Sequence, residues 1–205
     1  MKSVQAGILS HLKRRPRAWV FSAKDFLSLG TRAAVDQALS RMAKGGQIRR
    51  VARGLYDRPR VSAVLNAPAP ARLDAVMDAV ARKDDVTLVP DGSVHANQLG
   101  LTTAVPARPI YLTTGRSRVV SVGKRAIELK HMPNWLKHWA DGRPGTPVVL
   151  AMYSLHSSVK EDDDLPARLV RTLPTEVVGD LQKNLSKMPS WMHASVRRLK
   201  ADTVS

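Results

Sequence analysis

Residues 20–60, VFSAKDFLSLGTRAAVDQALSRMAKGGQIRRVARGLYDRPR, contain the signals of several consecutive elements. Ser22 and Thr31 are each placed to cap a helix, and Gly30 suits the left-handed turn that ends the first of these helices. The chain then continues in two short β-prone runs around Gly54, a pattern typical of a hairpin. Two helices joined by a glycine turn and followed by a hairpin predict a winged helix-turn-helix.

The helix predicted at residues 32–44 has two distinct faces when its residues are placed at 100° intervals. The apolar face contains Val35, Ala38, Leu39 and Met42. The opposite face contains Ala33, Gln37, Ser40, Arg41 and Lys44. In a helix-turn-helix, the second helix enters the major groove and directs its early side chains to base edges. We therefore expect base readout from Thr31, Arg32, Ala33 and Gln37.

Further basic side chains are placed to contact phosphates. Arg41 and Lys44 lie at the end of the same helix, and a first helix capped by Ser3 ends in Arg14 and Arg15. The predicted hairpin adds Arg49, Arg50 and Arg53, which suit phosphates or a narrow minor groove.

The distribution of charge supports a nucleic-acid-binding front end. The chain has 205 residues and a net charge of +16. Residues 1–60 hold 14 Lys and Arg against 3 Asp and Glu, whereas the other 145 residues hold 19 against 14. The excess of cations at the front of the chain predicts a polyanionic partner there.

Two domains of an α+β protein are predicted. Residues 1–62 form the winged helix-turn-helix, and residues 63–71, with two prolines among small residues, form a linker. The C-terminal domain at residues 72–205 combines a small antiparallel sheet with helices. Its strands are expected at 87–89, 110–114, 118–122 and 126–130, the last three as a meander, and its helices at 72–82, 93–99, 135–140, 148–157, 165–173, 175–187 and 190–201.

No pattern typical of catalysis or of a cofactor is present. The chain has no cysteine, its six histidines lack the spacing of a metal site, and no nucleotide-binding glycine loop occurs. We therefore predict neither an enzyme nor a cofactor-binding protein. The absence of cysteine, of a secretion signal and of a long apolar stretch predicts a cytoplasmic protein without a membrane partner.

The same residues resemble a known family. The stretch 20–60, above all IRRVARGLYDRP, resembles the N-terminal winged helix of the AbiEi-like antitoxins of type IV toxin–antitoxin systems, and residues 95–114 resemble the C-terminal region of that family. The resemblance covers roughly residues 5–135. It implies a protein that binds inverted repeats in its own promoter and counters a nucleotidyltransferase-like toxin. By position, it implies DNA contacts from Gln37, Arg41, Arg49, Arg50 and Arg53.

The expected function is a transcriptional autorepressor that acts as an antitoxin and binds double-stranded DNA, in two copies if the operator is an inverted repeat. One alternative is a protein-interaction module whose basic front end binds nucleic acid without sequence preference. Another is a solitary regulator without a toxin partner. An enzyme that acts on nucleic acid through scattered acidic residues is a third alternative.

Overall fold

The computed structural model describes residues 3–59, 61–62, 67–104, 107–156, 169 and 173–199. The protein is a mixed α+β structure with small sheets and a helical C-terminal part, as the sequence predicts. It divides into two compact units. The first unit comprises residues 1–88 and 119–127, and the second comprises residues 89–118 and 128–205. Among the described residues, no helix is both long enough and apolar enough to cross a membrane.

Three capped helices begin the first unit. Helix α1 spans Val4–Lys13 and is capped by the hydroxyl of Ser3, a 3-10 helix spans Ala23–Leu29, and helix α2 spans Arg32–Lys44. The 3-10 helix begins with a capping box, in which the Asp25 carboxylate accepts a hydrogen bond from the backbone N–H of Ser22 at 2.8 Å. The predicted helix starts are therefore confirmed, although the second helix is a 3-10 helix.

Gly30 differs from its prediction. Its φ of 165° is extended and not left-handed, so the turn itself does not demand glycine. A Cβ atom on Gly30 would lie 3.0 Å from Cγ2 of Val4, which is tight for carbon atoms. Close packing against α1 explains this glycine better than backbone conformation does.

A three-stranded antiparallel sheet follows the helices. Strands β1 (Val20–Phe21), β2 (Arg49–Ala52) and β3 (Leu55–Asp57) pair in the order β1-β3-β2. The β2–β3 hairpin turns at Gly54, whose φ of +71° favours glycine. The predicted hairpin is therefore confirmed, with β2 at one edge of the sheet.

The core of the first unit lies between the three helices and the sheet. The apolar face predicted for α2 is buried, as are Ile8 and Leu12 of α1 and the two phenylalanines, Phe21 and Phe26. The rings of these phenylalanines meet edge-on, with ring centres 5.4 Å apart. The helical periodicity therefore identified the buried side of α2 correctly.

The division between the units differs from the predicted one. Within the predicted linker, residues 63–66 lie outside the described part, and β5 (Ala67–Pro68) pairs with β4 (Val61–Ser62). Helix α3, Leu73–Asp84, is predicted in the C-terminal domain, but it belongs to the first unit. The reason is Arg82, which donates hydrogen bonds to the backbone carbonyl of Val20 at 2.7 Å and to Asp25 Oδ1 at 3.1 Å.

The second sheet is not the predicted antiparallel meander. Strands β6 (Leu88–Pro90), β7 (Ile110–Thr113), β8 (Arg118–Val122) and β9 (Arg125–His131) take the order β6-β7-β9-β8. Strand β9 therefore lies beside β7 and runs parallel to it. Turn residues predict that the chain reverses, but they do not determine which strand becomes the neighbour.

The second unit also contains short helices. They are α4 (Ser93–Gln98), a 3-10 helix (Asn134–Trp139), α5 (Thr146–Ser154), α6 (Thr175–Lys183), a 3-10 helix (Leu185–Lys187) and α7 (Ser190–Arg198). Each corresponds to a predicted helix. The helix predicted at 165–173 lies outside the described residues, apart from Leu169 and Leu173. Trp139, Val149, Met152 and Leu181 are among the fully buried core residues.

An ion pair joins two of these helical segments. Arg143 Nη2 lies 2.8 Å from Asp180 Oδ1, and the backbone N–H of Gly145 donates to Asp180 Oδ2 at 3.0 Å. Burial raises the pKa of the Asp180 carboxyl, but Arg143 and the N–H of Gly145 outweigh burial and hold that pKa below its usual value. Asp180 therefore stays charged and ties α6 to the loop before α5.

Candidate nucleic-acid interface

The outward face of α2 is exposed along its whole length. Arg32, Ala33, Gln37, Arg41 and Lys44, all predicted to face DNA, are solvent-exposed. Two of them are linked, because Arg41 Nη2 donates to Gln37 Oε1 at 2.9 Å. Such a bond on an open surface is easily exchanged for one to a ligand. This side of α2 therefore presents amide and guanidinium groups together.

One acidic residue on this face was not included in the sequence prediction. Asp36 accepts a hydrogen bond from Arg32 Nε at 2.8 Å, and both side chains are more than half exposed. An exposed pair at this helical spacing contributes little to stability. Arg32 thus has a partner in the free protein and would have to leave it to contact a phosphate or a base.

Thr31 has a structural role at the start of α2. Its hydroxyl oxygen accepts a hydrogen bond from the backbone N–H of Ala34 at 3.3 Å, as an N-cap residue does. The hydroxyl proton is not used by this bond. Thr31 therefore caps the helix while keeping one donor for a ligand.

The end of α1 places two further predicted residues at the surface. Arg14 and Arg15 are exposed, and the Arg15 guanidinium carbon lies 5.0 Å from the centre of the Trp19 ring. The carbonyl of Arg15 accepts a hydrogen bond from Arg58 at 2.7 Å. These contacts hold the segment after α1 against the sheet and leave the two guanidinium groups accessible.

The three hairpin arginines do not have equivalent environments. Arg49 forms two hydrogen bonds with the nearly buried carboxylate of Asp57, at 3.0 and 2.6 Å. Arg50 and Arg53 are exposed, and neither has an acidic partner among the residues that the structure describes. The predicted role of Arg49 in DNA contact is therefore the weakest of the three, because its guanidinium already neutralises Asp57.

Two cations that sequence analysis did not select complete this surface. The tip of the β8–β9 hairpin carries exposed Lys124 and Arg125 next to Gly123, whose φ is +58°. Together with Arg50 and Pro70, they line a groove of about 410 Å³ beside strand β2, here called the basic groove. A glycine turn followed by two cations was visible in the sequence, but its place beside β2 was not.

The acidic groups of the first unit are mostly engaged with cations of the same unit. Asp25 pairs with Arg82, and Asp57 pairs with Arg49. Their charges are therefore compensated locally and do not oppose the exposed cations. Exposed positive charge of this unit lies at the end of α1, on α2, on the β2–β3 hairpin and along the basic groove.

The model of a family of unknown function, DUF6088, matches residues 7–141, about two thirds of the chain. The chain belongs to the DUF6088 family. The matched residues include most of α1, all of α2, the β2–β3 hairpin and the β8–β9 hairpin, and therefore every residue of the candidate interface described above. No curated protein matches the DUF6088 chain.

Proposed function

We propose that this DUF6088 protein binds double-stranded DNA sequence-specifically, represses its own promoter and acts as the antitoxin of a type IV toxin–antitoxin system. The DNA-binding element is a winged helix-turn-helix made of α1, the 3-10 helix at Ala23–Leu29, α2 and the β2–β3 hairpin. In this proposal α2 occupies the major groove and the hairpin is the wing.

One observation carries the proposal. The polar face of α2 and two arginines of the hairpin, Arg50 and Arg53, are exposed in the same compact unit, and that unit contains the excess of positive charge. A helix that carries Gln37 and Arg41 on an open face has the donors and acceptors that base edges require. Neighbouring cations would supply the affinity for phosphates.

The proposal is tested by binding of the purified chain to its own upstream DNA and to an unrelated duplex of equal length, at two salt concentrations. A sequence-specific repressor binds its operator more tightly than the unrelated duplex at both salt concentrations, and the ratio of affinities is about 10³ or more at physiological salt. Equal affinity for the two duplexes would instead identify a non-specific nucleic-acid-binding surface. An inverted repeat within the protected DNA would indicate that two copies bind.

Arg53→Ala is expected to weaken operator binding by about 1–3 kcal/mol, because Arg53 is exposed at the hairpin turn and contributes a guanidinium to DNA. The thermal midpoint of the free protein should not change. Fluorescence anisotropy with labelled operator measures the affinity, and Arg116→Ala, an exposed arginine in the second unit, is the matched control. If Arg53→Ala binds as tightly as the control, the hairpin is not a DNA-contacting wing.

Replacing Lys124 and Arg125 together by alanine is expected to reduce the slope of log affinity against log salt by about 2, since each side chain neutralises one phosphate. The reduction should be the same for operator and unrelated DNA, because phosphate contacts carry no sequence information. The double variant Arg116→Ala/Lys137→Ala removes the same charge from the second unit. An unchanged slope would place the basic groove outside the DNA footprint.

The antitoxin part of the proposal rests on the resemblance of residues 5–135 to AbiEi-like antitoxins. Its test is co-expression with a nucleotidyltransferase-like protein encoded beside this chain. Rescue of growth by the intact protein supports an antitoxin. If no such reading frame is adjacent, or if co-expression gives no rescue, a solitary regulator is the better description.

A further inference from the structure

A second cavity lies in the second unit, and none of its described lining residues lines the basic groove. It has a volume of about 380 Å³, within the range of small-molecule sites. Its walls come from the end of β6, from β7 and β9, from the 3-10 helix at Asn134–Trp139, and from α5 and α7. The elements that frame it are thus spread along the whole second unit.

Aromatic rings make up much of the wall. Trp135 meets Tyr153 edge-to-face with ring centres 5.8 Å apart, and His156 meets Trp191 edge-to-face at 4.4 Å. All four side chains are only partly buried, although Trp139 nearby in sequence is fully buried. Partly exposed rings, each braced by another ring, offer fixed surfaces on which a planar ligand can stack.

The polar groups of the cavity differ in chemistry. Asp91 Oδ1 accepts hydrogen bonds from the backbone N–H and the hydroxyl of Ser93, and no described residue donates to Oδ2. Lys130 is half exposed, and the carboxylate oxygen Oε1 of Glu128 is 3.8 Å from its ammonium nitrogen. The cavity therefore offers a carboxylate oxygen as acceptor and, at its edge, an ammonium group with spare donors.

We propose that this cavity binds a single nucleobase bearing a 5′-phosphate. The base stacks on Trp135 and Trp191, an amino group of the base donates to Asp91, and Lys130 contacts the phosphate. A cavity of this size cannot admit a duplex. The ligand is therefore either a free nucleotide or an unpaired base within a single strand, and the site shares no residue with the proposed DNA interface.

The experiment compares nucleotides with nucleosides on two full-length proteins. Binding of nucleoside 5′-monophosphates and of the matching nucleosides is measured by isothermal titration calorimetry with the natural chain and with Lys130→Met. We expect Lys130→Met to weaken monophosphate binding by about five- to tenfold and to leave nucleoside binding within about twofold, since methionine cannot make a charge-assisted bond to phosphate. Lys137→Met, an exposed lysine of the same unit outside the cavity, should change neither.

A second variant tests the stacking surface. Trp191→Leu should weaken monophosphate and nucleoside binding alike, by about tenfold. The circular-dichroism spectrum and melting curve of Trp191→Leu show whether the unit remains folded. If this variant does not fold, the Lys130→Met comparison tests the proposal on its own. Equal binding by the natural chain, Lys130→Met and Trp191→Leu would overturn the proposal.

A third arm distinguishes the two sources of the base. A short single-stranded oligonucleotide is titrated into the Arg50→Ala/Arg53→Ala background, which removes the competing cations of the first unit. Oligonucleotide binding that depends on Lys130 and Trp191, without binding of free nucleotides, identifies an unpaired base as the ligand. Binding of free monophosphates alone identifies a nucleotide site, and absence of binding by both rejects the assignment.

Discussion

Gly92→Ala is expected to destabilise the second unit by about 3 kcal/mol, the largest effect we predict for any single methyl group. A Cβ atom on Gly92 would lie 1.7 Å from the carbonyl oxygen of Leu150 and 2.6 Å from the backbone nitrogen of Ala151. These are backbone atoms of α5, which cannot rotate away as the end of a side chain can. The start of α4 or the whole of α5 must therefore move.

Urea unfolding followed by tryptophan fluorescence measures this effect, because Trp135, Trp139 and Trp191 all report on the second unit. The matched control is Gly179→Ala within α6, where a Cβ would meet no atom within 4 Å. Alanine should stabilise that helix by about 0.5–1 kcal/mol. A Gly92→Ala protein as stable as the natural chain would show that α4 and α5 do not approach so closely.

Asp57→Ala is expected to destabilise the first unit by about 2–3 kcal/mol, somewhat less than the ~3–5 kcal/mol typical of breaking a buried pair, because Arg49 is partly exposed. The carboxylate of Asp57 is nearly buried, and it lines a small pocket with Arg17, Arg49 and Arg58. Without Asp57, no carboxylate among the described lining residues offsets the mutual repulsion of these cations, and Arg49 loses its counter-ion.

The test is a double-mutant cycle with Arg49→Ala, Asp57→Ala and the combined variant. We expect a coupling energy of at least about 1 kcal/mol, since the two side chains share two hydrogen bonds. Asp36→Ala provides the control, because its pair with Arg32 is exposed and should be worth less than about 0.5 kcal/mol. Additive single effects would show that Arg49 and Asp57 do not act as a pair.

Replacing Arg49 and replacing Arg53, two arginines of one hairpin, are thus expected to change different properties of the protein. Arg49 and Arg53 are of the same residue type, yet their contacts assign them different roles. Replacing Arg49 should first lower folding stability, whereas replacing Arg53 should lower the affinity of a protein of unchanged stability. Measuring both quantities for each variant separates the two roles.

Local signals in the sequence determined the elements of the first unit. The caps at Ser3, Ser22 and Thr31, the apolar periodicity of α2 and the glycine at the β2–β3 turn all act within a few residues of themselves. Both partners of such an interaction lie in the same short segment, so the sequence of that segment is enough to predict it. The exposed face of α2 follows directly, because the buried face is known.

Contacts between distant segments decided the rest of the fold. Arg82 of α3 donates hydrogen bonds to the backbone carbonyl of Val20 in β1 and to Asp25. Helix α3 therefore belongs to the first unit, whose N-terminal segment extends to residue 88. Strand β7 has β9 and not β8 as its neighbour. A local sequence pattern does not identify such partners, because the pattern is compatible with pairing to any strand, or to any charged group, elsewhere in the chain.

The functional residues divide in the same way. Sequence determined that Arg49, Arg50 and Arg53 lie on a basic hairpin after a helix with one polar face. Only the tertiary structure decided that Arg49 neutralises Asp57, that Lys124 and Arg125 stand beside Arg50, and that Gly92 must lack a side chain. The physical reason is that charge and periodicity belong to the chain itself, whereas the partner of a buried charge and the space around a Cβ exist only once the chain has folded.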